Sequence, residues 1–153
     1  MIATAPSIED LTLNITLETH VQASLDATFA ALLEQLGPGN ETPDGKSLHL
    51  KIEPRPGGRW YRDLGDDNGH LWAHVQAIKR PTLLEFTGPL FMSLGVVSNV
   101  QYRLTEAEGG TLIKFRHTAF GFIPADHKEG MTQGWTQMLT RTRERAEALH
   151  RGA

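Results

Sequence analysis

Histidine is the side chain whose ordinary pKa lies nearest neutrality, so the seven histidines of this chain are the first candidates for acid–base or metal chemistry. His117 shares strand parity with Thr111, Ile113, Phe115 and Ala119, an apolar series, so its imidazole should point inward. There it would either hydrogen-bond a neighbour as a core residue, or orient a ligand and exchange protons with it. No partner carboxylate is evident in the sequence, which favours the core reading. His70 and His74 stand four residues apart, the spacing of metal ligands on a helix face. On a strand four residues span about 13 Å, too far for one ion, so no metal site is expected.

Pro56-Gly57-Gly58 has the glycines of a phosphate-cradling loop. It lacks the following Lys-Ser/Thr and opens onto a strand, so a turn between strands is expected instead. Gly-x-Ser-x-Gly, His-Glu-x-x-His, the Rossmann glycine fingerprint and Ser-x-x-Lys are all missing, and neither a catalytic residue nor a cofactor is assigned. What remains is an aromatic set, Trp60, Tyr61, Trp72, Tyr102 and Trp135, suited to a packed core or a pocket wall. Gly134, beside Trp135, costs a helix about 1 kcal/mol relative to alanine, which close packing or a cavity wall would explain.

The elements that would position these residues follow from periodicity. Leu11, Leu13, Ile15 and Leu17 alternate with polar residues, the pattern of a half-buried strand ending near Val21. At Ser24, a good N-cap, the period becomes helical: Leu25, Phe29, Leu32, Leu33 and Leu36 form a stripe that Gly37-Pro38 ends. Gly37 to Lys46 reads as an exposed loop. Strand signals then recur at Leu48–Glu53, Arg59–Leu64, His70–Lys79, Thr82–Thr87, Gly95–Thr105 and Thr111–Ala119, with a hairpin turn over Gly65–Gly69. The links are too short for crossover helices, so the strands should form an antiparallel meander.

A long helix should follow, with Asp126 as N-cap, Glu129 completing a capping box, and an end near His150. Its expected buried stripe is Met131, Gly134, Trp135, Met138, Leu139, Thr142, Ala146 and Leu149. Arg59 and Arg62 should form a weakly paired surface with Asp63, Asp66 and Asp67, and Arg141, Arg143 and Arg145 should favour the helix C-terminus. The sheet needs one face covered, and this helix alone has enough stripe to cover it.

Composition narrows the function classes. Fifteen basic against eighteen acidic residues give a net charge of −3, which leaves no electrostatic footprint for nucleic acid. The absence of cysteine removes disulfides and thiol chemistry. The opening MIATAPSIEDLTLNIT lacks the pattern of a signal peptide, and no apolar run is long enough to span a membrane, so a cytoplasmic protein is expected. At 153 residues the chain has the size of one domain, with its core over residues 11–149.

The order of elements resembles the SRPBCC superfamily, also called START-like or Bet v 1-like. Glu53-Pro54-Arg55-Pro56-Gly57-Gly58-Arg59-Trp60, then Gly69-His70, Val75, Ile78, Pro81, Leu83-Leu84-Glu85-Phe86, Gly109-Gly110-Thr111, His117 and Gly134-Trp135, resemble the branch named after the C-terminal domain of the heat-shock protein 90 ATPase activator. The resemblance implies an α+β helix-grip fold, a curved antiparallel sheet of about seven strands wrapped around a long C-terminal helix. That architecture and the aromatic inventory lead to the expectation of a small hydrophobic ligand held between sheet and helix, with Trp60, Trp72, Tyr102, Phe115, His117, Met131, Trp135 and Met138 as the expected lining. A cyclase- or hydrolase-like enzyme working through His117, and a co-chaperone-like protein-binding domain, are the alternatives, and a homodimer is compatible with each.

Overall fold

The computed structural model of the chain describes residues 7–42 and 44–152. The first six residues of the N-terminal stretch, and Pro43 of the Gly37–Lys46 loop, lie outside them. After a 3-10 turn at Glu9–Leu11 come β1 (Thr12–Val21), α1 (Leu25–Leu36), β2 (Leu50–Ile52), β3 (Arg59–Gly65), β4 (Asn68–Lys79), β5 (Leu83–Gly88), β6 (Val97–Ala107), β7 (Gly110–Phe120) and α2 (Ala125–Arg151). The seven strands make one antiparallel sheet in the order β1-β7-β6-β5-β4-β3-β2, the expected meander with its first strand folded back onto its last. No helix among the described residues is long and apolar enough to cross a membrane.

Period-two patterning decides which side of the sheet is buried. Along β7, Ile113, Phe115, His117 and Ala119 are buried, whereas Lys114 and Arg116 are exposed. The inward side chains build an aromatic row across the sheet. Trp60 packs on Phe86 at 4.7 Å between centroids, Phe86 on Tyr102 at 6.2 Å, Tyr102 on Phe115 at 5.1 Å and Phe115 on Trp135 of α2 at 4.8 Å. Such contacts add about 0.5–1.5 kcal/mol each beyond the area they bury.

α1 begins as expected, with the Ser24 hydroxyl accepting from the Ala27 N–H at 3.2 Å. α2 does not. Pro124 occupies the cap without a side-chain hydrogen bond, and Asp126 lies in the first turn rather than at the N-cap, where it still complements the helix dipole. The proline carbonyl takes that role by accepting from the N–H groups of His127 and Lys128. Met131, Trp135, Leu139, Thr142 and Ala146 form the buried stripe of α2. Leu149 is exposed, and Gly134 is exposed with nothing within 4 Å of where a Cβ would stand, so close packing does not explain it.

Three other expectations change in the folded chain. The strand anticipated from Leu48 shrinks to Leu50–Ile52, because His49 adopts a left-handed φ of 55° that interrupts the extended backbone. Arg59 pairs with Glu53 through Nε to Oε1 at 2.9 Å and Nη2 to Oε2 at 3.0 Å, and Asp63 pairs with Lys51 at 2.7 Å, in place of the anticipated Arg–Asp cluster. The Arg59 guanidinium draws the Glu53 carboxyl down to about 2. Arg145 reaches α1 rather than the end of its own helix, donating from Nε to Gln35 Oε1 at 2.7 Å and from Nη2 to the Gly39 carbonyl at 2.9 Å. That clamp helps bury Gly39 and Asn40, in a loop whose composition had marked it as exposed.

The Pro56-Gly57-Gly58 turn is structural. Gly57 takes a φ of 78°, and a Cβ on Gly58 would stand 1.9 Å from the Glu53 carbonyl oxygen. The Gly57 N–H donates to the Val75 carbonyl at 2.8 Å and the Val75 N–H to the Gly58 carbonyl at 2.7 Å, joining the turn to β4.

Candidate functional site

Sheet and helix diverge toward the N-terminal half of α2, and a cleft of about 830 Å³ opens between them. Its walls are Trp60 of β3, Trp72 of β4, and Met131, Gly134, Trp135 and Met138 of α2. The loop after β5 contributes Phe91, Met92, Ser93 and Leu94, and the loop after α1 contributes Asn40 and Leu48. Ser93, Asp126, His127 and Gln137 are exposed where the cleft meets solvent. The volume falls within the range of small-molecule sites, which are typically apolar with few polar groups.

Of the eight residues anticipated as lining, Trp60, Trp72, Met131, Trp135 and Met138 stand in the cleft. Tyr102, Phe115 and His117 do not line it. They are buried further along the aromatic row, where Trp135 of α2 packs on Phe115 and bonds His117 of β7. Gly134 stands in the wall, so the space opposite a missing side chain is open cleft. Asn40 and the Phe91–Leu94 segment were missed. An apolar run in a loop, Leu90-Phe91-Met92, was the available signal for the second, since loops seldom carry such side chains without a surface to cover. Nothing in a Gly- and Pro-rich loop pointed to a buried Asn40.

Hydrogen bonds hold two of the three tryptophans in place. The Trp60 indole donates to the Leu36 carbonyl at 2.7 Å, and the Trp135 indole to His117 Nδ1 at 3.0 Å. The Trp72 indole N–H is enclosed without a partner among the described residues. His117 Nε2 lies 2.9 Å from Ser98 Oγ. Because Nδ1 accepts from Trp135, the ring proton belongs on Nε2, donating to Ser98. Burial pushes the His117 pKa down to about 4, so the ring is neutral at pH 7. Both ring nitrogens are engaged and the residue is fully buried, so its geometry is that of a positioning residue for Trp135. Burial likewise raises the Tyr102 phenol well above its ordinary value. Among the described residues no group of three or more His, Asp or Glu could hold a metal ion.

The family described as "Activator of Hsp90 ATPase homolog 1-like protein" matches residues 22–147. The chain belongs to that family. No curated protein matches it in sequence. Among solved structures, an uncharacterised protein from Rhizobium leguminosarum superposes with a TM-score of 0.68 at 20% identity, covering 90% of this chain and 95% of that one. The Aha1 dimer from Colwellia psychrerythraea superposes at 0.60 with 17% identity, covering 88% and 96%. The di-domain ARO/CYC StfQ from the steffimycin biosynthetic pathway superposes at 0.64 with 14% identity, covering 95% of this chain and 53% of that one. These likenesses establish the helix-grip fold for this member of the family.

Proposed function

We propose that the protein binds a small, largely apolar molecule in the cleft between the sheet and the N-terminal half of α2. One observation carries the reading: about 830 Å³ walled by Trp60, Trp72, Phe91, Met131, Trp135 and Met138, in a fold whose other half is filled by its own side chains. Aromatic rings and flexible methionines suit a bulky hydrophobic guest, because they give large contact area and adapt to shape. Binding is favoured over turnover, since His117, the acid–base candidate, is enclosed behind Trp135. A cytoplasmic location accords with a chain without cysteine.

The test is a panel of fatty acids and polycyclic aromatic compounds scored by melting temperature, with native mass spectrometry of the purified protein. A ligand at one hundred times its Kd should stabilise the fold by about 2.7 kcal/mol. Gly134→Trp, which fills the cleft from α2, should abolish the shift. No shift from any compound, together with no copurifying molecule, would overturn the reading. The family's description favours a second reading, docking on a chaperone, which a pull-down with Hsp90 and an assay of its ATPase would test.

A further inference from the structure

A side-chain amide carries two donors and two acceptor lone pairs. Asn40 is 6% exposed and lines the cleft; no described residue hydrogen-bonds its carboxamide, whose polar atoms are not sealed off and so remain open to a guest or to water. Its backbone, by contrast, is held on both sides. The Asn40 N–H donates to the Gly37 carbonyl at 3.1 Å, its carbonyl accepts from the Leu48 N–H at 3.2 Å, and Arg145 anchors the preceding Gly39 carbonyl at 2.9 Å. The chain is pinned here while the one side chain able to use the pinning has no partner. Such rigid presentation of a free polar group lowers the ordering cost of binding.

We infer that Asn40 is the specificity-determining residue of the cleft, its carboxamide selecting a neutral carbonyl or carboxamide group on an aromatic body. The inference rests on the small-molecule reading above and adds the chemical class of the ligand. Neutrality follows from where the charges are. Asp126 and His127 are the ionisable residues of the lining, and both are exposed at the start of α2. An anionic head at Asn40 would meet no lysine or arginine in the lining, the nearby Arg145 guanidinium being already engaged by Gln35 and the Gly39 carbonyl, and an unpaired charge costs far more to bury than an amide. The aromatic body follows from the walls, where half-buried Trp72 and exposed Phe91 meet edge to face at 6.0 Å, with the buried rings of Trp60 and Trp135 behind them.

The test uses three naphthalene probes of nearly equal shape: 2-naphthamide, 2-naphthoate and the planar hydrocarbon 2-isopropenylnaphthalene. Dissociation constants are measured by calorimetry on the full chain and on its Asn40→Leu variant. Asn40→Leu should weaken 2-naphthamide about tenfold, the loss of one or two hydrogen bonds, and leave the hydrocarbon within about twofold. In the unmodified protein 2-naphthoate should bind at least about tenfold more weakly than 2-naphthamide. An equal change for amide and hydrocarbon, or naphthoate binding as tightly as naphthamide, overturns the assignment of Asn40 while the small-molecule reading stands. Failure of all three probes to bind the unmodified protein overturns this inference, and the small-molecule reading falls with it only if the wider panel and the copurification test fail as well. Asn40→Ala, with melting temperatures for each variant, repeats the comparison should Asn40→Leu fail to fold.

Discussion

The two halves of the grip use the same sheet and the same helix to opposite ends. Over β7, Trp135 of α2 packs directly on Phe115 and donates to His117, and Tyr102 of β6 packs on Phe115 beside it, so these side chains fill the space. Over β3 and β4, the start of α2 stands off, and the gap is bordered by the Phe91–Leu94 loop and by Asn40. The difference arises from local chain choices. Gly134 withholds a side chain on the helix, and β2 is cut to three residues by His49, so Leu48 borders the cleft instead of extending the sheet. Trp135 belongs to both halves: one ring is core on one side and wall on the other.

Substitutions of one ring in each half should separate them most sharply. Phe115→Ala should cost about 3–5 kcal/mol in chemical denaturation, as a large cavity opens in close-packed surroundings. Phe91→Ala, removing a ring that is 44% exposed, should cost less than about 1 kcal/mol and weaken ligand binding instead. Similar losses of stability at the two positions would erase the distinction.

The buried imidazole gives the filled half a pH signature. Its pKa of about 4 lies below the ordinary 6.5, so the folded chain binds fewer protons than the unfolded one between those values. Stability should therefore be complete above about pH 7 and fall as pH drops through 6.5 toward 4, by up to about 3 kcal/mol. Urea midpoints across this range measure it, and His117→Gln should flatten the curve there. The exposed Glu53, held down to about 2 by Arg59, acts only below its ordinary 4.5, a lower window. A midpoint that does not move between pH 7 and 5 would show that His117 is not held neutral by burial.

The smallest effect belongs to the wall of the open half. Gly134→Ala should raise stability by up to about 1 kcal/mol, because helix propensity improves and the added methyl group meets open space. Thermal melts would check it, and destabilisation would mean that the cleft is narrower than described. Gly134→Leu should retain the fold while lowering affinity for every probe.

Much of this was legible in the chain itself. Alternation and turn spacing together located the strands, though not the start of β2, and the inward turn of His117 followed from its parity with Ile113 and Phe115. The helical stripe of α2 was legible except at its ends, where Pro124 displaced Asp126 from the cap and Leu149 passed beyond the buried part. The site was half legible. Trp60, Trp72, Met131, Trp135 and Met138 are apolar residues on regular elements, and periodicity aims them inward. Asn40 and Phe91 lie in loops, where no period tells direction. Their places depend on Arg145 reaching across from a helix more than a hundred residues away, and on how the β5–β6 connection folds over the sheet.

The amino-acid order, then, determined the succession of elements and the face each buries, because those depend on repeats of two and 3.6 residues that are local properties of backbone geometry. Tertiary structure alone decided which inward side chains meet each other and which face empty space. That outcome rests on the angle at which α2 crosses the twisted sheet and on loops pinned by distant partners, quantities that no window of sequence contains.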